Sequence, residues 1–251
     1  MIRLVGVELY KLVTTRMFFW LLATATGLVV VVTALHFILA GDNSLDIEGA
    51  AGAIVTEADL RAVLDVSSVA VIFTLILGAT AVSGEHRHNT IASTYLVTPK
   101  RSRVIVAKTI GFGVAGLVFG VVVQAAALVV AVGWLAASGS AIPFGATVLT
   151  GVLLAPVATG LAASLGVGIG ALITNQLGAV LAAVGWVMVV EQLFSGLFPE
   201  VAGWLPFSGG AAAIAGGHEV LTPAGGVALL LVYVLAAMVL GMVATSRRDV
   251  V

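Results

Sequence analysis

Apolar runs of about twenty residues, the length a helix needs to cross the hydrocarbon core of a bilayer, recur along the whole chain. Six stand out, at residues 17–40, 62–83, 104–137, 147–173, 177–195 and 224–245. The third is longer than a membrane is thick, so its ends are expected to project as helix or to carry a break. Ahead of the first run, residues 2–16 follow another pattern. At the helical repeat of about 100° per residue, Ile2, Val5, Leu9, Leu12 and Val13 fall on one face and Arg3, Glu8, Lys11 and Thr15 away from it. Such an amphipathic helix lies along a membrane surface. The pattern predicts an all-α integral membrane protein with six transmembrane helices in a single domain over residues 1–251.

Composition narrows the class further. Only 9% of the 251 residues are charged and 61% are hydrophobic, with a mean hydropathy of +1.20, whereas soluble domains carry about 25% charged residues. A net charge of −1 lacks the basic face that nucleic acid requires as a partner. The absence of cysteine excludes disulfides, thiolate metal sites and cysteine nucleophiles.

The placement of charge predicts orientation, because loops on the cytoplasmic side are enriched in lysine and arginine. Arg3, Lys11 and Arg16 precede the first span; Arg87, Lys100, Arg101, Arg103 and Lys108 lie between the second and third; Arg247 and Arg248 follow the last. Arg61 alone falls outside this set, while Asp42, Asp46, Glu48, Glu57, Asp59, Glu200 and Glu219 occupy the opposite loops. Both termini are therefore expected in the cytoplasm. The first apolar core, from Met17 to Leu35, exceeds the ~7–15 residues of a signal-peptide core and is expected to be retained.

The segment GEHRHNTIASTYLVTPKRSRVIVAK, residues 84–108, carries the most information. Thr90 can cap a short helix on which Ile91, Tyr95 and Leu96 share a side, ended by Pro99 and the basic residues. Charge alone also fits a plain basic loop obeying the orientation rule. Yet the run resembles the ABC type-2 transporter permeases. There a Gly-Glu after the second span leads through a Gly-Thr pair and a leucine to a proline, basic residues and a lysine opening the third span. Here these are Gly84, Glu85, Thr90, Leu96, Pro99, Arg101, Arg103 and Lys108, with Asn89 in place of the first glycine of the pair; asparagine tolerates similar backbone angles. ELYKLVTTRMFFW, residues 8–20, is similar to the family's N-terminal elbow helix, with its Glu-x-x-Lys-Leu and Thr-x-Arg.

This resemblance, which covers the whole chain, implies a plasma-membrane permease that exports a substrate and depends on two separate ATPase subunits and a second permease chain, identical or homologous. The chain itself has no P-loop, since Lys11, Lys100 and Lys108 follow Tyr10, Pro99 and Ala107 and no Gly-Lys-Ser/Thr holds phosphate. ATP and magnesium would sit on the partner, leaving no cofactor here. In the resembling proteins the helix corresponding to Glu85–Thr98 is a coupling helix seated in the ATPase. The resemblance thus points to Glu85, Arg87, Thr90, Ile91, Tyr95 and Leu96 as coupling residues, and to a re-entrant outer segment after span five, where GLFPEVAGWLPFSGGAAAIAGG (residues 196–217) is rich in proline and glycine.

Other polar residues are read two ways. Glu191 lines a pathway or gate, or marks the outer end of span five. Gln124 and Asp65 serve transport or merely pack against neighbouring helices. His86 and His88 beside Glu85 lack the further ligands a metal needs. Small residues at four-residue spacing, Gly160, Ser164 and Gly168, then Ala162, Gly166 and Gly170, allow close helix approach, within this chain or with another. Among rival functions, a rhomboid-type protease needs Gly-x-Ser-Gly, and Ser138, Ser195 and Ser208 precede glycine without the earlier one; no catalytic residue is assigned. A secondary transporter or channel independent of any ATPase is the alternative, disfavoured by the scarcity of intramembrane charge and by the lack of an internal repeat.

Overall fold

The computed structural model describes residues 1–42, 69–88, 90, 91, 94, 96, 100–138, 145–215 and 221–247. Among them every regular element is a helix, and six are long and apolar enough to cross a membrane. Helix α1 (Ile2–Thr14) stops at Thr15, whose extended backbone (φ −88°, ψ 130°) interrupts the chain for one residue before α2 (Arg16–Asp42). Then come α3 (Val69–Arg87), α4 (Arg101–Ser138) and α5 (Ala146–Leu172). Helix α6 (Gln176–Leu197) is continuous but not uniform: a π-helical turn, Trp186–Val190, separates its two α-helical parts. A broken element follows, made of α7 (Pro199–Ala202), a π turn (Pro206–Ala211) and α8 (Ala212–Ile214), before α9 (Pro223–Ser246).

Local chemistry explains several boundaries. The Asn175 side chain accepts from the Gly178 N–H at the start of α6, and the Thr222 hydroxyl accepts from the Gly225 N–H at the start of α9, where Pro223 occupies the first turn. Both supply the acceptor that the first N–H groups of a helix lack. Helix α4 has neither an internal proline nor a π turn and runs unbroken for 38 residues. At 1.5 Å per residue that is about 57 Å, so it tilts or protrudes from a hydrocarbon core of about 30 Å. The observed helices track the expected spans closely, although α3 continues to Arg87 rather than stopping at 83. Residues 62–68 of that span, with Asp65, lie outside the described residues.

The centre of the bundle is α5, packed on α3, α4 and α9. Its small residues make this possible. A side chain at Gly166 or Gly170 would run into the backbone of α3 at Leu75 and Ala79, and one at Gly168 would meet Ala237 of α9 at 2.6 Å. The partners of the small-residue stripes are thus helices of this same chain. Helices α2 and α4 run parallel, joined near one end by Phe18 against Phe119 (ring centroids 6.1 Å apart, edge-on) and near the other by Phe37 stacked on Trp134 (6.1 Å, 21°). Helices α2, α6 and α9 leave most of their apolar surface uncovered, as a lipid-facing or partner-facing helix does.

One expectation about α1 is altered. Glu8, assigned to its polar face, is 5% exposed, while Ile2 and Val13 of its apolar face are 90% and 57% exposed. The buried stripe is the one through Glu8 and Leu12. A carboxylate turns inward only where cations meet it, and two do.

Candidate functional site

Four charged side chains converge at the end of the bundle where α3 leaves and α4 begins. Helix α1 contributes Glu8 and Lys11, one turn apart and therefore on one face; the last turn of α3 brings Glu85; α4 brings Lys108 from two turns inside the helix. The Lys108 ammonium donates to Glu8 Oε2 at 2.6 Å and to Glu85 Oε1 at 2.8 Å. Lys11 donates to Glu8 Oε1 and to Glu85 Oε1, both at 3.0 Å. The charges cancel within the cluster, which permits its burial: Lys108 is 1% exposed and flanked by apolar residues of α4. Lys11 reaches the surface. Burial by itself lowers the Lys11 pKa, but the Glu85 and Glu8 carboxylates outweigh it, holding the ammonium above its ordinary 10.5.

Both sequence motifs, the one around residues 8–20 and the one around 84–108, thus meet at a single ion cluster. Glu85 is a site candidate from the sequence alone; Glu8 and Lys11 stand there on the polar face of the first helix, and Lys11 and Lys108 among the basic residues that set orientation, with no site role. Lys108 had its own signal, a lysine with VIVA before it and TIGF after it, which is costly in lipid unless paired.

The residues beyond α3 hang from this cluster. The Thr90 N–H and hydroxyl both donate to the Glu85 carbonyl, at 3.0 and 3.4 Å, and the Thr94 N–H donates to the Thr90 carbonyl at 3.2 Å, as in a helical turn. Ile91 is 6% exposed and Leu96 is 83% exposed, so the first is spent inside the chain while the second projects outward. Tyr95, like Asn89, Pro99 and Thr98, lies outside the described residues. Arg87 Nη1 donates to Gln176 Oε1 (3.1 Å), and Arg101 Nη1 to the Thr245 carbonyl (2.9 Å). These contacts tie the starts of α4 and α6 and the end of α9 into the same end of the bundle. Among the described residues no group of three His, Cys, Asp or Glu is placed to hold a metal.

A second buried carboxylate lies at the opposite end. Glu191 is 1% exposed and accepts from Trp186 Nε1 (2.9 Å), from the Phe207 N–H (3.1 and 3.2 Å to its two oxygens) and from the Ser208 N–H (2.6 Å). The π turn accounts for the first contact, since its extra residue brings positions 186 and 191 over one another; the Glu191 N–H donates to the Trp186 carbonyl. The others cap the Pro206–Ala211 turn, whose leading proline has no N–H of its own. Glu191 therefore holds the broken element to α6. Gln124 is 3% exposed within α4, and neither polar atom of its amide has a hydrogen-bond partner.

No protein-family model matches the chain, and no curated protein does either.

Proposed function

We propose that this chain is the membrane-spanning permease subunit of an ATP-driven ABC exporter in the plasma membrane, with both termini in the cytoplasm. It forms half of the substrate pathway beside a second permease, identical or homologous, and is driven by two separate ATPase subunits that bind ATP and magnesium. The observation that carries this reading is the Glu8–Lys11–Glu85–Lys108 cluster. It clamps the first helix, the spans α3 and α4 and the segment after Glu85 into one unit, the construction needed if a push on that segment is to reach the spans. On this reading α1 is the elbow helix, residues 85–98 form the coupling helix, and the element between α6 and α9 is the re-entrant outer segment. Leu96 and Tyr95 are the apolar anchors for the ATPase, with Arg87 and Thr90 fixing the segment to the bundle and Ile91 packing it from within.

The test is a Tyr95→Ala, Leu96→Ala double variant. Interface anchors cost more than about 1–2 kcal/mol when truncated, so the variant should reach the membrane, lose its ATPase on mild detergent extraction and cease to transport. Normal transport with the ATPase still bound would refute the coupling role. Transport by the purified chain with no ATPase present would instead establish a secondary transporter or channel.

A further inference from the structure

The amide of Gln124 is shut inside the bundle with neither polar atom paired among the described residues. Taking an amide out of water without giving it a hydrogen bond raises the free energy of that packing. Whatever covers Gln124 is therefore where this conformation parts most easily. The glycines of α4 identify the cover: a side chain at Gly113 would meet Gly160 and Ser164 of α5, and one at Gly120 would meet Pro156 and Thr159. The two helices are antiparallel, so one further turn along α4 sets Gln124 level with Val152. Val152 is partly buried against the core cluster that contains Phe119, Val123 and Ala127.

This covering part of α5 lies on the far side of a proline. Pro156 has no N–H, so the Val152 carbonyl lacks its helical partner, and helices bend at such sites. On the C-terminal side of the proline α5 is held firmly. The Thr159 hydroxyl donates to the Gly116 carbonyl at 2.9 Å and to the Pro156 carbonyl at 2.8 Å, and residues 162–168 are all buried. On the N-terminal side the hold is lighter: Gly151 is the one buried residue among 149–155, and Leu149 and Leu153 are 54% and 66% exposed.

We infer that residues 146–155, the first three turns of α5, form a flap hinged at Pro156 that swings away from α4 and gives the Gln124 amide to water. The hinge rests on the multi-span fold and not on an ATPase. The part that Gln124 plays in a pathway rests on the transport reading: the open flap adds an amide, both donor and acceptor, to a wall that is apolar when the flap is shut.

The experiment places spin labels at Leu149→Cys in the flap and at Val118→Cys on α4 beyond the hinge, two exposed positions in a chain with no other cysteine. Double electron–electron resonance on the purified chain in nanodiscs, diluted with unlabelled chain, should give two distances. Pro156→Ala restores the missing N–H, and Gln124→Leu removes the unpaired amide at similar volume. Each should lower the longer-distance population against the shorter by about tenfold or more, the effect of one buried polar group left unpaired or one hydrogen bond regained. Either variant keeps the test decisive where the other does not fold. A control pair, Val118→Cys with Val232→Cys of α9, should keep one distance throughout. A single distance for the flap pair, or two whose proportions survive either substitution in a folded chain, overturns the hinge. So does a second distance for the control pair, which would mean that the bundle loosens as a whole. No ATPase and no transport enter the measurement, so its failure leaves the exporter reading intact, and failure of that reading leaves the hinge.

Discussion

Replacing Lys108 by methionine, which keeps the length and removes the charge, is the most severe test of the cluster. Lys108 is 1% exposed and supplies the shortest contact to each glutamate, 2.6 Å to Glu8 and 2.8 Å to Glu85. Without it two carboxylates share a single lysine. Removing one partner of a buried ion pair costs about 3–5 kcal/mol, because the remaining charge keeps its desolvation penalty and loses its compensation. Lys11→Met removes the same number of contacts from a side chain that is 44% exposed, where water replaces the lost partner and the cost is about 1 kcal/mol or less. Removing opposite charges together should recover part of the loss: Glu8→Leu with Lys108→Leu should destabilise by less than the sum of the single changes, since well-packed apolar residues replace buried ion pairs at little cost. Reversible unfolding in mixed detergent micelles, followed by circular dichroism, gives these differences. If Lys108→Met is no more destabilising than Lys11→Met, or if the double change is additive, the cluster is not the charge-balanced unit described here.

Three further outcomes follow from other parts of the fold. Glu191→Ala leaves the Phe207 and Ser208 N–H groups and the Trp186 indole without their acceptor, and at about 1–3 kcal/mol for an unsatisfied buried group it should accelerate hydrogen exchange over residues 206–211 while sparing α3. Gly166→Ala drives a methyl group into the α3 backbone and should cost about 1–3 kcal/mol, whereas Gly27→Ala, which meets nothing within 4 Å, should be neutral or gain up to about 1 kcal/mol of helix propensity; equal melting shifts for the two would contradict the close approach of α5 to α3. In this cysteine-free chain, Leu45→Cys should react with an impermeant maleimide added outside intact cells and Lys100→Cys only after the cells are opened, and the reverse pattern would invert the proposed topology.

Much of the architecture was legible because lipid imposes a simple rule: runs long and apolar enough to cross it become helices. The same rule explains what was hidden. Glu8 and Lys108 are 100 residues apart, and nothing local to either names the other; amphipathic periodicity placed Glu8 outward because periodicity records polarity and not pairing. For Glu191 the sequence offered a pathway residue or the end of a span. The structure shows a third role, a cap for the turn beginning at Pro206, which depends on a π turn that no residue pattern in WVMVV announces. Spacing puts Ile91, Tyr95 and Leu96 on one side, yet the five residues from Ile91 to Leu96 turn through about 500° of helix, enough to send Ile91 inward and Leu96 outward.

The unbroken course of α4 gives the cluster mechanical reach. From Lys108 to Trp134 the helix is 26 residues, or about 39 Å at 1.5 Å per residue. Pivoted at its clamped end, a tilt of about 5° swings the far end sideways by about 3 Å, with no residue between them changing its own conformation. The stacked Trp134 and Phe37 rings would slide past one another or carry α2 along. A helix with a hinge in the middle would absorb such a motion, whereas this one behaves as a lever whose short arm is held by the two ion pairs of Lys108.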